Sequence, residues 1–121
     1  MRTRPDKISS VEIGGQDVLV DEAGYLVDPD DWSHAVAEWL AAEEGVELSE
    51  DHWAVLGFMR EYLETQGVAA DARFVFKDLG ERYAESLKAA RRRFFQLFPY
   101  GYTGQACKIA GMRQPRAWST G

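Results

Sequence analysis

Four stretches of the chain carry apolar residues three and four positions apart, and this spacing does most to narrow the possible folds. An α-helix brings such positions to one face, so each stretch predicts an amphipathic helix. Gly45 and Gly67 end the first two stretches, Gly80 ends or bends the third, and Pro99 closes the fourth. The apolar positions, stretch by stretch, are Trp32, Ala35, Val36, Trp39 and Leu40; Val55, Phe58, Met59, Tyr62 and Leu63; Phe74, Val75, Phe76 and Leu79; and Leu87, Ala90, Phe94, Phe95 and Phe98.

Residues suited to helix N-termini precede three of these stretches. Asp28-Pro29 reads as the N-cap and first residue of the first helix, Ser49 as the N-cap of the second, and Asp71 as that of the third. Upstream, apolar and polar residues alternate between Val11 and Val20 on either side of Gly14-Gly15, which predicts a β-hairpin. A third extended piece is predicted over residues 25–27. The expected fold class is α+β and mainly α: a small helical bundle with an N-terminal β-hairpin and a flexible C-terminal arm.

The length of 121 residues is enough for one domain with one core. We expect a disordered tail over residues 1–9, a single domain over 10–111 and an arm over 112–121. Apolar runs are too short for a membrane span and no signal peptide is evident, so a cytoplasmic location is expected. One cysteine and two histidines cannot form a zinc site, and no cofactor motif is present, so neither metal nor cofactor is expected.

Charge is divided unevenly along the chain. Residues 1–70 hold 4 Lys/Arg against 16 Asp/Glu, whereas residues 71–121 hold 10 against 4. Lys88, Arg91, Arg92 and Arg93 predict a basic ridge on the fourth helix. This ridge either attracts an anionic partner or neutralises the acidic half of the chain. The first reading, together with helices joined by glycine-containing turns, gives one alternative function, a helix-turn-helix-like DNA-binding regulator.

Cys107 and Trp118 are the other residues that bear on function. A lone cysteine is either a small buried hydrophobe or a reactive thiol, and its neighbour Lys108 favours the second because positive surroundings lower the pKa of a thiol. Trp118 lies in a polar, proline-containing segment, where its indole either folds back or awaits a partner. Lys108 and Trp118 are therefore candidate partner-binding residues, and docking through Trp118 gives a second alternative, a non-catalytic interaction module.

The C-terminal segment resembles a known family. Its motif runs Phe98-Pro-Tyr-Gly101, then Gln105-Ala-Cys-Lys-Ile-Ala-Gly111, then Pro115. This pattern is similar to that of the DsrC/TusE family, which comprises the gamma-subunit-like proteins of dissimilatory sulfite reductase and the sulfur-relay proteins of tRNA thiolation. The likeness covers roughly residues 10–117, and upstream it includes Gly24-Tyr-Leu-Val-Asp28, Asp31-Trp32, Ala37-Glu-Trp-Leu40, Glu44-Gly45, Leu48, His52-Trp53 and Arg60-Glu-Tyr62.

The resemblance implies a helical domain with an N-terminal hairpin and a mobile C-terminal arm that carries sulfur. In the sulfite-reductase branch two arm cysteines hold sulfur between them, and in the relay branch only the penultimate one carries a persulfide. Cys107 matches the upstream cysteine, while Trp118 stands eleven residues later where the second is expected. The chain matches neither branch in this respect.

The resemblance therefore implies a sulfur-metabolism accessory protein that is no enzyme on its own. It is either a sulfur carrier of the sulfurtransferase type, with a persulfide on Cys107, or a regulatory homologue. Its expected partners are sulfite reductase or sulfur-relay and sulfurtransferase proteins.

Overall fold

The computed structural model describes residues 7–113. Their contacts divide them into two compact units: residues 7–47 with residues 107–113 form the first unit, and residues 48–106 form the second unit. A two-stranded hairpin and a predominance of helices confirm the predicted class, α+β and mainly α. No helix within residues 7–113 is both long enough and apolar enough to cross a membrane.

The hairpin opens the first unit. Strands β1 (Ile8–Ile13) and β2 (Gln16–Asp21) pair antiparallel, with Val11 opposite Val18. Gly14 and Gly15 form the turn with positive φ angles of 58° and 83°, as their position in the sequence predicts. The predicted third extended piece makes only one bridge, between Leu26 and Val20, so it is not a strand of its own within the described residues.

The first helix begins later than the sequence predicts. Asp28 does cap, and Pro29 does follow it, but they start a 3-10 turn, Pro29–Asp31. Helix α1 runs over His34–Glu43 with Ser33 as its N-cap, the hydroxyl accepting from the Val36 N–H. Trp32 therefore precedes the helix instead of opening its apolar stripe, and Ala35 is exposed. The buried face of α1 consists of Val36, Ala37, Leu40 and Ala41.

The second unit contains the three longer helices. Helix α2 (Glu50–Gln66) starts at the predicted cap Ser49 and ends at Gly67, whose φ of 75° is left-handed. Helix α3 (Ala72–Arg82) starts at the predicted cap Asp71, and helix α4 (Leu87–Leu97) starts at Ser86. A π-helical turn, Tyr102–Ala106, follows and leads directly into the short helix α5, Cys107–Ile109, of the first unit.

Gly80 does not end α3, which continues to Arg82. A side chain at this position would lie 3.1 Å from the Glu85 carbonyl oxygen and 3.5 Å from Cβ of Ala90. Glycine is therefore favoured here by the close approach of α4 and of the chain leading into it, and not by a helix end.

Aromatic rings form much of the core of the second unit. The ring of Phe94 is fully buried and lies 5.2 Å, centroid to centroid, from those of Phe76 and Phe98. The hydroxyl of Tyr102 donates to the Ala70 carbonyl oxygen. The predicted stripes are not wholly buried, however. Leu87, at the first position of α4, is 63% exposed.

Both ends of the chain extend past the described residues. Strand β1 begins at Ile8, inside the range predicted as a disordered tail, while residues 1–6 lie outside the description. Of the predicted arm, Met112 is buried and Arg113 is exposed. Residues 114–121, including Trp118, lie outside the described residues.

Candidate functional site

Cys107 is the first residue of α5 and is 2% exposed. The side chains on either side in sequence, Ala106 and Lys108, are buried and half-buried. A lone cysteine was interpreted either as a small buried hydrophobe or as a reactive thiol. The position of Cys107 in the structure agrees with the first interpretation. Burial does not by itself make a thiol inert, but it requires the surrounding chain to open before a reagent can reach the sulfur atom.

The chain reverses immediately after α5. The Met112 N–H donates to the Cys107 carbonyl oxygen at 3.0 Å, and the Gly111 N–H to the Lys108 carbonyl oxygen at 3.1 Å. These two bonds, with Gly111 at a φ of 77°, form a Schellman motif. The motif fixes the backbone of Cys107 and the direction in which the chain leaves the site.

Trp32 holds this turn from one side. Its indole Nε1–H donates to the Ile109 carbonyl oxygen at 2.9 Å, across 77 positions of sequence. A Cβ atom added to Gly111 would lie 2.9 Å from Cγ of Trp32, closer than real Cβ atoms approach a neighbour. The extended backbone of Trp32, just before α1, therefore places the indole against the turn that follows Cys107.

Lys108 holds α5 from another side. Its Nζ lies 3.2 Å from Oε2 of Glu44, at the end of α1, and 5.2 Å from the centroid of the Tyr25 ring. The lysine side chain is 15% exposed and the glutamate side chain 18% exposed. Lys108 was predicted to bind partners, but here its ammonium group is committed to an ion pair within the first unit.

Tyr25 and the turn before it complete the surroundings. Oδ1 of Asp21 accepts from the backbone N–H groups of Ala23 and Tyr25, at 2.9 and 3.0 Å, and so fixes the turn. Burial, followed by electrostatic interactions with Cys107, Asp21 and Glu44, raises the pKa of Tyr25 to about 12. The phenol is therefore neutral at any physiological pH and serves Lys108 as an aromatic face.

Lys108 also lines a cleft of ≈190 Å³ in the first unit. Other lining residues are Gly24 from the turn and Trp39, Glu43 and Glu44 from α1. Since the ammonium group of Lys108 is paired with Glu44, this cleft is acidic overall. An acidic cleft of this kind repels anionic ligands.

Sequence reasoning identified Cys107 but missed Tyr25, Trp32, Glu44 and Gly111 as the residues that hold it. Glu44 and Lys108 are 64 positions apart, so no local pattern pairs them. The one available signal was the glycine two residues after Ile109, because a glycine just past a predicted helical turn is typical of a left-handed C-terminal cap.

The predicted basic ridge is only partly assembled. The guanidinium of Arg93 pairs with Glu85 and with Asp51 and stacks 4.2 Å over the ring of Tyr83. It therefore belongs to an internal ionic network of the second unit. Lys88, Arg91 and Arg92 are exposed. Three phosphate contacts at most would remain on this helix face for DNA.

The two histidines have packing roles. His52 is buried, with Nδ1 accepting from the Ser49 N–H at 3.0 Å and Nε2 donating to the Leu97 carbonyl oxygen at 2.8 Å. His34 is exposed, with its ring edge-on to that of Trp32. Among residues 7–113 there is no group of three or more His, Cys, Asp or Glu side chains placed to hold a metal ion.

Comparison with known proteins shows which family the chain resembles along most of its length. A family model described as DsrC like protein matches residues 12–117. Sulfurtransferase TusE of Pectobacterium atrosepticum is 37% identical over 105 residues, 87% of this chain and 95% of that protein. The oxidized gamma-subunit of the dissimilatory sulfite reductase (DsrC) from Archaeoglobus fulgidus superposes with a TM-score of 0.78 at 32% identity, over 90% of this chain and 98% of that one.

The NMR structure of Allochromatium vinosum DsrC also superposes with a TM-score of 0.78, at 35% identity, over 91% of this chain and 97% of that one. None of these three relatives is described as a DNA-binding protein, so the DNA-binding alternative has no support from them.

Proposed function

The chain belongs to the DsrC-like protein family, and on that basis we propose that it is a sulfur-relay carrier whose sulfur is held on Cys107. The observation that carries the proposal is the position of the cysteine. Cys107 is the one cysteine of the chain, and it lies at the root of the C-terminal segment in a domain that matches DsrC structures along most of its length. Every other residue type present lacks the nucleophilic sulfur that a persulfide requires.

The proposed step is a transfer of sulfane sulfur. The Cys107 thiolate attacks the terminal sulfur of a persulfide donor, forming a new bond from Sγ to that sulfur while the S–S bond of the donor breaks. The donor leaves as a thiolate and takes up a proton, and Cys107 becomes a persulfide. No net electrons are exchanged with an outside reagent, so the step needs no redox cofactor.

The burial of Cys107 sets a condition on this step. Because the residue is 2% exposed, attack requires the turn at Gly111 and the contacts of Lys108 to open first. We propose that a partner supplies this opening, and that the partners are sulfur-relay or sulfurtransferase proteins or a sulfite reductase. The proposed location is the cytoplasm, where thiols are kept reduced.

The same burial favours a second candidate, a regulatory homologue that binds these partners without carrying sulfur. In this role Cys107 packs as a small apolar residue. Trp118, at the position where the sulfite-reductase branch has its second cysteine, would then contribute to docking. The two candidates differ in one measurable property, the reaction of Cys107 with sulfane sulfur.

Intact-mass spectrometry after incubation with glutathione persulfide tests the proposal. A carrier gains one sulfur, about 32 Da, which dithiothreitol removes, and the Cys107→Ser variant gains none. The control is the same native protein in a denaturing concentration of urea, in which the thiol is accessible. Modification in urea but not in the folded protein, with or without the partner proteins, would favour the regulatory homologue over the carrier.

A further inference from the structure

The second unit has a cleft of ≈380 Å³ whose lining includes none of the residues described around Cys107. Helices α3 and α4 supply its lining residues, which are Arg73, Phe76, Leu87, Lys88 and Arg91. Two of these are apolar, three are cationic and none carries a carboxylate. A cleft of this size that combines apolar side chains with a few charged groups is typical of sites for small ligands.

The apolar part of the cleft is incompletely covered. Phe76 is half-buried, and Leu87 is 63% exposed although it was predicted to lie on the apolar face of the fourth helix. A large apolar side chain left open beside an aromatic ring loses stabilisation that a ligand's apolar group can restore.

The three cationic side chains of the cleft differ in whether a carboxylate already pairs with them. Arg73 is paired with Asp71, its Nε lying 3.1 Å from Oδ1. Lys88 makes no ion pair within residues 7–113. The guanidinium of Arg91 lies 5.9 Å from the ring centroid of Phe76 and 5.7 Å from that of Phe95, so it is oriented by aromatic faces and not by a carboxylate. Lys88 and Arg91 therefore remain to pair with an anion.

We propose that this cleft binds a small amphipathic organic anion, one with an aliphatic or aromatic body and a carboxylate or sulfonate group. The body lies against Phe76 and Leu87, and the acidic group meets Lys88 and Arg91. The site uses none of the residues around Cys107 and stands independently of the sulfur-relay function.

The probe for this site is 1-anilinonaphthalene-8-sulfonate, whose fluorescence rises when its rings leave water. We expect saturable binding of one dye to the native protein, equally in Cys107→Ser. Reversing two of the charges, in Lys88→Glu/Arg91→Glu, weakens the affinity at least about tenfold, since each ion pair is replaced by a repulsion. If the double variant fails to fold, Lys88→Glu alone replaces it in the test, because Lys88 is exposed and makes no ion pair within residues 7–113.

Arg92→Glu is the matched control, because it makes the same change of charge on the same helix at a residue that does not line the cleft. We expect this variant to bind the dye as the native protein does. The apolar part is tested with Leu87→Asp, which we expect to abolish saturation, and with decanoate, which should displace the dye. Equal weakening by Arg92→Glu and Lys88→Glu would overturn the proposal, and so would an unaffected Leu87→Asp variant. Displacement by an acidic peptide but not by decanoate would overturn it in favour of a peptide-docking surface.

Discussion

Replacing Gly111 by alanine tests whether the turn after Cys107 is fixed by Trp32. Two separate penalties are expected. The first is conformational, because Gly111 has a φ of 77° and an L-residue in that left-handed region costs about 1–2 kcal/mol. The second is steric, because the added Cβ would lie 2.9 Å from Cγ and 3.0 Å from Cβ of Trp32.

The indole cannot move away without loss. Its Nε1–H donates to the Ile109 carbonyl oxygen, so a displacement that relieves the clash also breaks that bond. Overpacking of this kind costs about 1–3 kcal/mol, which brings the expected loss of unfolding free energy for Gly111→Ala to about 2–5 kcal/mol. The rate at which Cys107 reacts with a thiol reagent should rise as well, because the turn opens more often.

Urea denaturation followed by circular dichroism measures the first quantity, and Gly45→Ala is the matched control. Gly45 lies in the same unit at a φ of 71°, and nothing lies within 4 Å of an added Cβ, so only the conformational penalty of about 1–2 kcal/mol applies. In a Trp32→Ala background Gly111→Ala should cost no more than this control. Equal losses for Gly111→Ala and Gly45→Ala in the otherwise native protein would refute the steric argument.

Four further outcomes are expected. Lys108→Met leaves the half-buried Glu44 carboxylate without its ion pair, so it lowers the unfolding free energy by about 1–3 kcal/mol and speeds alkylation of Cys107, whereas Lys88→Met does neither. Burial raises the pKa of Tyr25 to about 12, against about 10 in the unfolded chain. The contribution of the neutral phenol to stability is therefore complete below pH 10 and is lost as the pH rises from 10 to 12. Tyrosinate absorbance and unfolding at several pH values measure this loss. His52→Ala loses the ring's hydrogen bonds to Ser49 and Leu97, which are partly buried, and leaves a cavity, at about 2–4 kcal/mol, while exposed His34→Ala changes stability by less than about 0.5 kcal/mol, both measured by urea denaturation. Trp118→Ala is predicted to weaken partner binding in calorimetry while leaving the unfolding transition unchanged.

The helices were predictable because their signals are local. Ser49 and Asp71 accept hydrogen bonds from N–H groups two or three residues ahead, and Gly67 has the left-handed φ that ends a helix, so each position can be read from a few neighbouring letters. The predicted start of α1 was wrong because the signals there are local as well. Asp28-Pro29 and Ser33 are both adequate caps, and the choice between them is made by the contact of Trp32 with Ile109, which the local sequence does not contain.

Gly80 illustrates the converse error. A glycine inside a helical pattern reads as a breaker, but this one lies in the helix interior, where Glu85 and Ala90 pack so closely that a side chain would crowd them. Likewise, the Arg93 that extends a basic run in sequence pairs with Asp51, 42 positions away. Charge and glycine patterns thus identified residues with a particular structural role, but not the distant residues that they contact in that role.

The contacts around Cys107 bear directly on how a one-cysteine member of this family can exchange sulfur. A thiol that is 2% exposed reacts at a rate proportional to the fraction of molecules in which its surroundings are open. The indole bond to Ile109 and the ion pair of Lys108 with Glu44 both hold α5 closed, and each 1.4 kcal/mol that they contribute to closing lowers the open fraction about tenfold. In the proposed carrier role, a partner that competes for Glu44 or Trp32 would remove that residue's share of the closing free energy and so accelerate attack by Cys107 without touching its sulfur. In the same proposed role, the contacts that protect a persulfide on Cys107 from adventitious thiols are the ones that a specific acceptor must break, which would couple recognition to transfer in a chain with no second cysteine.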